Sequence, residues 1–176
     1  IAPETFRNCE QLKTFYIGKA FRGKINYGEE GDPDTLFLYY APIRLIQIDK
    51  ENTSYQLQNE ILYTRDGHIL CQALKNDNAD SQLTIPSCVT EIADGAFYRN
   101  SEFGAIEVKG SLERIGISAF ACADVGSFYV KGGVNYLDRG SFYQSAISEW
   151  RCHGGVKKYE KSAFQDVDAT NGYAID

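Results

Sequence analysis

The sequence predicts a β-rich solenoid built from stacked units of 22–23 residues, and three observations carry that prediction. Phe97, Phe120, Phe142 and Phe164 follow one another at spacings of 23, 22 and 22 residues. Counting back from each Phe, the other columns stay in register. One residue before stand Ala96, Ala119, Ser141 and Ala163; five before, Ile92, Ile115, Leu137 and Tyr159; eight before, Val89, Leu112, Val134 and Val156. Twelve before stand Ile85, Val108, Val130 and Cys152, and fourteen before, Leu83, Ile106, Phe128 and Trp150. Finally, each unit places turn residues between two apolar stretches: Pro86-Ser87, Lys109-Gly110-Ser111, Lys131-Gly132-Gly133 and His153-Gly154-Gly155. Units this short cannot bury an apolar face alone, so neighbours must stack.

From the N-terminus, Ile1 stands five before Phe6 as Ile92 does before Phe97, so the chain is expected to begin inside a repeat of a longer protein. Phe15-Tyr16-Ile17 reads as the next strand, followed by Phe21 and Ile25. The register then breaks at an acidic turn-rich loop, Gly28-Glu29-Glu30-Gly31-Asp32-Pro33-Asp34. Leu36-Phe37 and the strand Leu45-Ile46-Gln47-Ile48 resume the pattern. Ile61–Thr64 and His68–Cys71, joined through Arg65-Asp66-Gly67, predict a β-hairpin with an Asp-Gly turn. The polar stretch from Lys75 to Gln82 returns to the array. In each regular unit an alternating strand such as Ile106-x-Val108 sends two residues inward and one outward. The small-residue-Phe pair is expected on a short helical turn. Tyr173-Ala174-Ile175 reads as a final strand. Residues 1–176 thus form one domain: 1–48 degenerate N-terminal repeats, 49–82 a hairpin insertion, 83–176 regular repeats.

The unit Leu83-Thr84-Ile85-Pro86-Ser87-Cys88-Val89-Thr90-Glu91-Ile92-Ala93-Asp94-Gly95-Ala96-Phe97 resembles the BspA-type leucine-rich repeat. Glu113-Arg114-Ile115-Gly116-Ile117-Ser118-Ala119-Phe120 repeats its second half. Phe6-Arg7-Asn8-Cys9-Glu10-Gln11-Leu12 matches the link to the next strand, and residues 61–70 resemble a hairpin found between repeats of that family. The Pro after the strand is kept only at Pro86. The Cys three residues after Phe is kept only at Cys9, with Cys122 one residue early. The resemblance implies a leucine-rich-repeat solenoid of an extracellular or cell-surface protein that binds host matrix components, other cells or glycans, with no catalytic repeat position.

Composition agrees with a globular chain of this class. Hydrophobic residues make up 43% and charged residues 24%, excluding disorder, and no apolar run is long enough to insert in a membrane. A net charge of −6 argues against a nucleic-acid surface. The five cysteines are odd in number and lack a C-x-x-C pair, so they read as mostly buried structural thiols rather than disulfides or a zinc site. Cys152 and His153 are adjacent on a strand, hence on opposite faces, and cannot act as nucleophile and base. His68 and Cys71 could meet only across the hairpin. No catalytic or cofactor motif occurs, so no cofactor is expected. Glu29, Glu30, Asp32 and Asp34, and the segment Asp166–Gly172, have some of the carboxylates of a calcium loop; the second lacks the central Gly and closing Glu, and both read as solvated loops. Asn52-Thr53-Ser54 has the form of an N-glycosylation acceptor.

The candidate binding surface is the outward row of the strands. In-register stacking places Thr84, Glu107, Tyr129 and Arg151 side by side, about 4.8 Å apart per coil. Beside them run Pro86, Lys109, Lys131 and His153, and on the other side Gln82, Ala105, Ser127 and Glu149. Of these, Thr84, Glu107, Lys109, Tyr129, Lys131, Arg151 and His153 are the expected contacts for a protein or glycan ligand, with Tyr129 between Arg151 and Lys131 as an amphipathic anchor. Trp150 is expected in the core, and Tyr39-Tyr40 as a packed pair or an aromatic patch. The alternatives are a structural spacer, which needs no contiguous patch, and an accessory module of a larger extracellular protein. The open ends of the stack offer surfaces for self-association.

Overall fold

The structure is a computed structural model that describes residues 5–26, 35–74, 81–100, 103–167 and 173–174. The acidic loop 27–34 with its four carboxylates, the stretch 75–80, residues 168–172, and the terminal Ile1 and Ile175 lie outside them. The strands in order are β1 (Thr14–Ile17), β2 (Lys24–Ile25), β3 (Thr35–Leu36), β4 (Leu45–Ile48), β5 (Tyr55–Gln58), β6 (Ile61–Thr64), β7 (Ile69–Ala73) and β8 (Ser81–Ile85). They continue as β9 (Glu91–Ile92), β10 (Phe103–Val108), β11 (Arg114–Ile115), β12 (Asp124–Val130), β13 (Val134–Leu137), β14 (Ala146–Cys152), β15 (Val156–Tyr159) and β16 (Tyr173–Ala174).

Each regular unit supplies one strand to each of two sheets. The first sheet runs β8-β10-β12-β14-β16 and the second β9-β11-β13-β15, all parallel. Register follows the repeat columns: Ile106 pairs with Leu83 and with Phe128, and Phe128 with Trp150. Between the sheets the repeated phenylalanines stack. Phe97 lies 4.6 Å from Phe120, Phe120 5.0 Å from Phe142 and Phe142 5.2 Å from Phe164, with rings within 8° of parallel. Trp150, only 2% exposed, stacks on Phe128 at 4.9 Å, so the core expectation for it holds.

The turn around each Phe departs from the expected helix. The sole helix among the described residues is a 3₁₀ turn at Leu38–Tyr40. Gly95, Ser118 and Gly140, two residues before a Phe, and Arg99, Cys122, Gln144 and Asp166, two after, all hold positive φ near 50–60°. Such a residue cannot continue a right-handed helix. The freed N–H groups instead bond the next coil: Phe97 to Ala119 O and Phe120 to Ser141 O, both at 2.7 Å, and Arg99 to Ala121 O at 2.9 Å. Repetition therefore replaces helical bonds with a ladder between coils. Asn8, two residues after Phe6, has φ 67°, the same turn in the degenerate N-terminal copy.

The insertion is larger and more deeply placed than a two-stranded hairpin. β5, β6 and β7 form an antiparallel meander, and β7 pairs in parallel with β9, extending the second sheet. Asn59 and Glu60, at φ 48° and 62°, make the tight β5–β6 turn. Both faces of β6 are covered. Ile61 and Tyr63 join the repeat core, whereas Leu62 joins a second core with Ile17, Ile25, Leu38, Ile46, Tyr55 and Cys71. The meander is thus a wall between two cores, and the parallel pair β1-β4 packs beyond it. Asn26, fully buried, ties the parts together. Its side-chain amide donates to Cys71 O at 3.0 Å, its Oδ1 accepts from Leu38 N–H at 2.8 Å, and its carbonyl accepts from Asp94 N–H at 2.8 Å.

Candidate binding surface

The strand register places the predicted row as the repeat columns require. Glu107 sits opposite Thr84 on one side and Tyr129 on the other, and Tyr129 opposite Arg151. Ala105, Ser127 and Glu149 align on one flank. On the other flank, the Lys109, Lys131 and His153 amides bond Ile85 O, Val108 O and Val130 O, holding those three residues in step. The row is a line of side chains rising from a parallel sheet, with all seven predicted residues at the surface or half-buried.

Its charges are already partly matched. The Glu107 carboxylate takes the Lys109 ammonium from its own strand and lies 3.5 Å from the Lys131 ammonium of the next coil. The hydrogen bond from Lys109 holds the Glu107 carboxyl below its ordinary range. Arg151 pairs with Glu149 two residues earlier. The Tyr129 ring meets His153 edge-on, centroids 5.4 Å apart, so its neighbour is an imidazole as well as the expected cations. Three cations against two carboxylates leave this face slightly positive on a chain of net charge −6.

The residues set aside for chemistry are placed apart. Cys152 is 6% exposed, its thiol donating to Gly155 O at 3.2 Å and raised in pKa by burial, while His153 is exposed on the other face. Cys71 is fully buried and burial raises its pKa too, whereas His68 is exposed. All five thiols are free. Among the described residues no cluster of metal-ligating side chains occurs. Asn52 is 1% exposed, and its amide donates to Gly18 O at 2.8 Å while accepting from the Ser54 and Tyr55 amides. In the folded chain that asparagine is a structural clamp and closed to glycosylation.

Two features escaped the sequence reading. Arg114 on β11 joins three carboxylates from the two neighbouring coils: Glu91 at 2.7 Å and Asp94 at 2.5 Å on one side, and Asp138 at 2.9 Å on the other. Burial raises both Glu91 and Asp94 although the guanidinium beside them pulls the other way. Burial pulls Arg114 down, but Asp94 and Glu91 outweigh it and raise it. Glu91 and Arg114 occupy one repeat column, so opposite charges in adjacent rows were the available signal. The second feature is aromatic. Phe37, Tyr39, Tyr40 and Tyr98 pack together, with Tyr39 4.5 Å from Tyr40 and 5.6 Å from Tyr98. Tyr39 and Tyr40 pack and still line a cavity, joining both readings of that pair.

Comparison with known proteins agrees with this architecture. The sequence model of the BspA type leucine rich repeat region matches residues 45–171 in six copies. The crystal structure of the pneumococcal vaccine antigen PcpA is similar over 93% of this chain and 46% of that one, at 16% identity and TM-score 0.62. A leucine-rich repeat protein from Eubacterium ventriosum aligns over 92% of this chain and 60% of its own, at 13% identity and TM-score 0.41. This chain thus spans about half the length of those structures. No curated protein matches it. Among the described residues no helix is long and apolar enough to cross a membrane. Six matched copies, the two-sheet stack and the phenylalanine ladder have one reading: the chain belongs to the BspA-type leucine-rich repeat family.

Proposed function

We propose that this chain is a non-catalytic recognition module of an extracellular or cell-surface protein. It binds a protein ligand, host matrix components included, through the outward face of β8, β10, β12 and β14. The observation that carries this reading is the register that sets Tyr129 beside Glu107 and Arg151, within a row whose cations outnumber its carboxylates. A rigid sheet holds these side chains at fixed spacing, so little conformational freedom is lost on binding. Tyr and Arg are the residue types enriched at interface hot spots. The surplus positive charge favours an acidic patch on the partner. A spacer needs no such row, and an accessory module would use the same face for its own attachment.

The test is an array of purified matrix proteins probed with the chain, with and without calcium. A bound protein should lose roughly thirtyfold in affinity, about 2 kcal/mol, when Tyr129→Ala and Arg151→Ala are combined. Undiminished binding by that variant refutes the face, and a blank array favours the spacer.

A further inference from the structure

We propose that a second site, independent of the strand face, takes an extended acidic peptide segment of a partner protein into the cleft between β4 and β5, where the segment adds a strand to free main-chain edges.

The strand register leaves those edges unpaired. In the parallel pair β1-β4 the amides of Leu45 and Asp49 donate to Lys13 O at 3.0 Å and to Ile17 O at 2.9 Å. Alternate residues of a strand direct their main-chain groups to opposite sides, so Ile46 and Ile48 present theirs away from β1. β5 is the outermost strand of its sheet. The Arg65 amide bonds Ser54 O at 2.8 Å, so Ser54, Gln56 and Gln58 carry the main-chain bonds to the strand β6 side. The Leu57 amide and carbonyl are left pointing outward. β4 and β5 follow one another in the chain and yet do not pair. Asn52 keeps them apart. Its amide is anchored on Gly18 O and Phe21 O, and its Oδ1 takes the Tyr55 amide at 2.9 Å, so β5 leaves the turn bonded to Asn52.

The cleft holds about 780 Å³ and is lined by both strands and by Tyr16 of β1. Four large apolar side chains are exposed among the described residues, and three of them gather here. Tyr16 and Leu57, 58% and 38% exposed, line the cleft, and Leu45, 45% exposed, stands on β4. Apolar side chains exposed around unpaired strand edges suit an added strand, whose main chain supplies affinity while alternate side chains meet the apolar surface.

Charge selects the occupant. Three charged residues line the cleft: Asp49, Lys50 and Arg65. Asp49 has both oxygens engaged, Oδ2 accepting from the Tyr16 hydroxyl and Oδ1 from the Glu51 amide, each at 2.9 Å. Lys50 and Arg65 are exposed, and neither pairs with a carboxylate among the described residues. Two unmatched cations favour carboxylates on the incoming segment. A second copy of this chain meeting the cleft about a two-fold axis would bring the same two cations into one interface, which disfavours self-pairing.

The test uses an array of synthetic peptides of about ten residues, an ordinary strand length. In one set β-branched residues alternate with glutamate or aspartate, in a second with lysine, and in a third with serine. The acidic set should be retained. Each retained peptide should lose roughly tenfold or more in affinity when alternate backbone amides are N-methylated, because the ladder then lacks donors. The combined Lys50→Glu and Arg65→Glu variant should shift retention from the acidic to the lysine set, and the combined Tyr129→Ala and Arg151→Ala variant should bind as the native chain does. Lys50→Glu alone carries the test if the combined variant fails to fold. An array on which no peptide is retained overturns the site. So does retention that N-methylation leaves intact, that ignores the charge reversal, or that is lost with the strand-face residues instead.

Discussion

Removing the cation from the Arg114 cluster should destabilise the solenoid more than any surface change, and in a pH-dependent way. Arg114→Met keeps the alkyl stem and deletes one guanidinium shared by three carboxylates. The side chains are well buried: 24% exposed for Arg114, and 15%, 3% and 17% for Glu91, Asp94 and Asp138. Deleting one partner of a buried ion pair costs about 3–5 kcal/mol, because the other charge is left unpaired. The partly open outer edge of Arg114 points to the lower end, about 3 kcal/mol. For a chain of this length that lowers Tm by roughly 6–12 °C. Burial already raises Glu91 and Asp94 with the arginine present, and its removal raises them further. A carboxyl whose folded pKa is raised contributes stability below its unfolded pKa and loses it as pH rises through the folded value. The deficit of the variant is therefore largest at pH 7.5 and shrinks towards pH 5. Thermal melts followed by circular dichroism at both pH values check this. A deficit under about 1 kcal/mol, or one equal at the two pH values, refutes the electrostatic account.

Phe120→Ala, in the middle of the stacked ladder and fully buried, should cost about 3–5 kcal/mol in denaturant unfolding, and a loss near that of an ordinary surface substitution would show that the ladder is not continuous. Titration of the native chain with a thiol reagent should label the exposed Cys88 at once and leave Cys71 and Cys152 unreacted until denaturant is added; prompt labelling of Cys71 would contradict the two-core arrangement.

The repeat columns made most of the stack legible, because an inward position in one unit is inward in every unit. Leu83, Ile106, Phe128 and Trp150 pair across strands as their spacing implies, and the outward row follows without further information. What spacing could not show was the turn conformation. A small residue before Phe is compatible with a helix, and only the inter-coil amide bonds decide against one. From sequence the meander reads as a two-stranded hairpin insertion, because a short apolar strand covered on both faces has no alternation to reveal its second core. The tyrosine cavity was hidden for a different reason. Asp94, Ile117 and Arg139 share a column but no chemistry, and the roof comes from residues 37–40, far away in the sequence.

These placements separate what holds the molecule together from what it offers to partners. The columns nearest the ladder are apolar and almost uniformly buried, so a substitution there changes stability first. The outward columns and the column three before each Phe vary from coil to coil: Thr84, Glu107, Tyr129 and Arg151 in one, Asp94, Ile117 and Arg139 in the other. A parallel stack carries such variation at little cost, since the main-chain ladder bonds do not depend on which side chain stands outward. The two surfaces also depend on different neighbours. The strand row needs only coils of its own sheet. The cavity needs the N-terminal segment to dock over the turns, with Asn26 holding Leu38 and Asp94 in one network. Loosening that dock, as Gly95→Ala would by driving a Cβ into the Tyr39 ring, should lower the melting temperature while leaving the strand row's protein ligand bound. Loss of that ligand as well would mean that the strand row depends on the N-terminal dock.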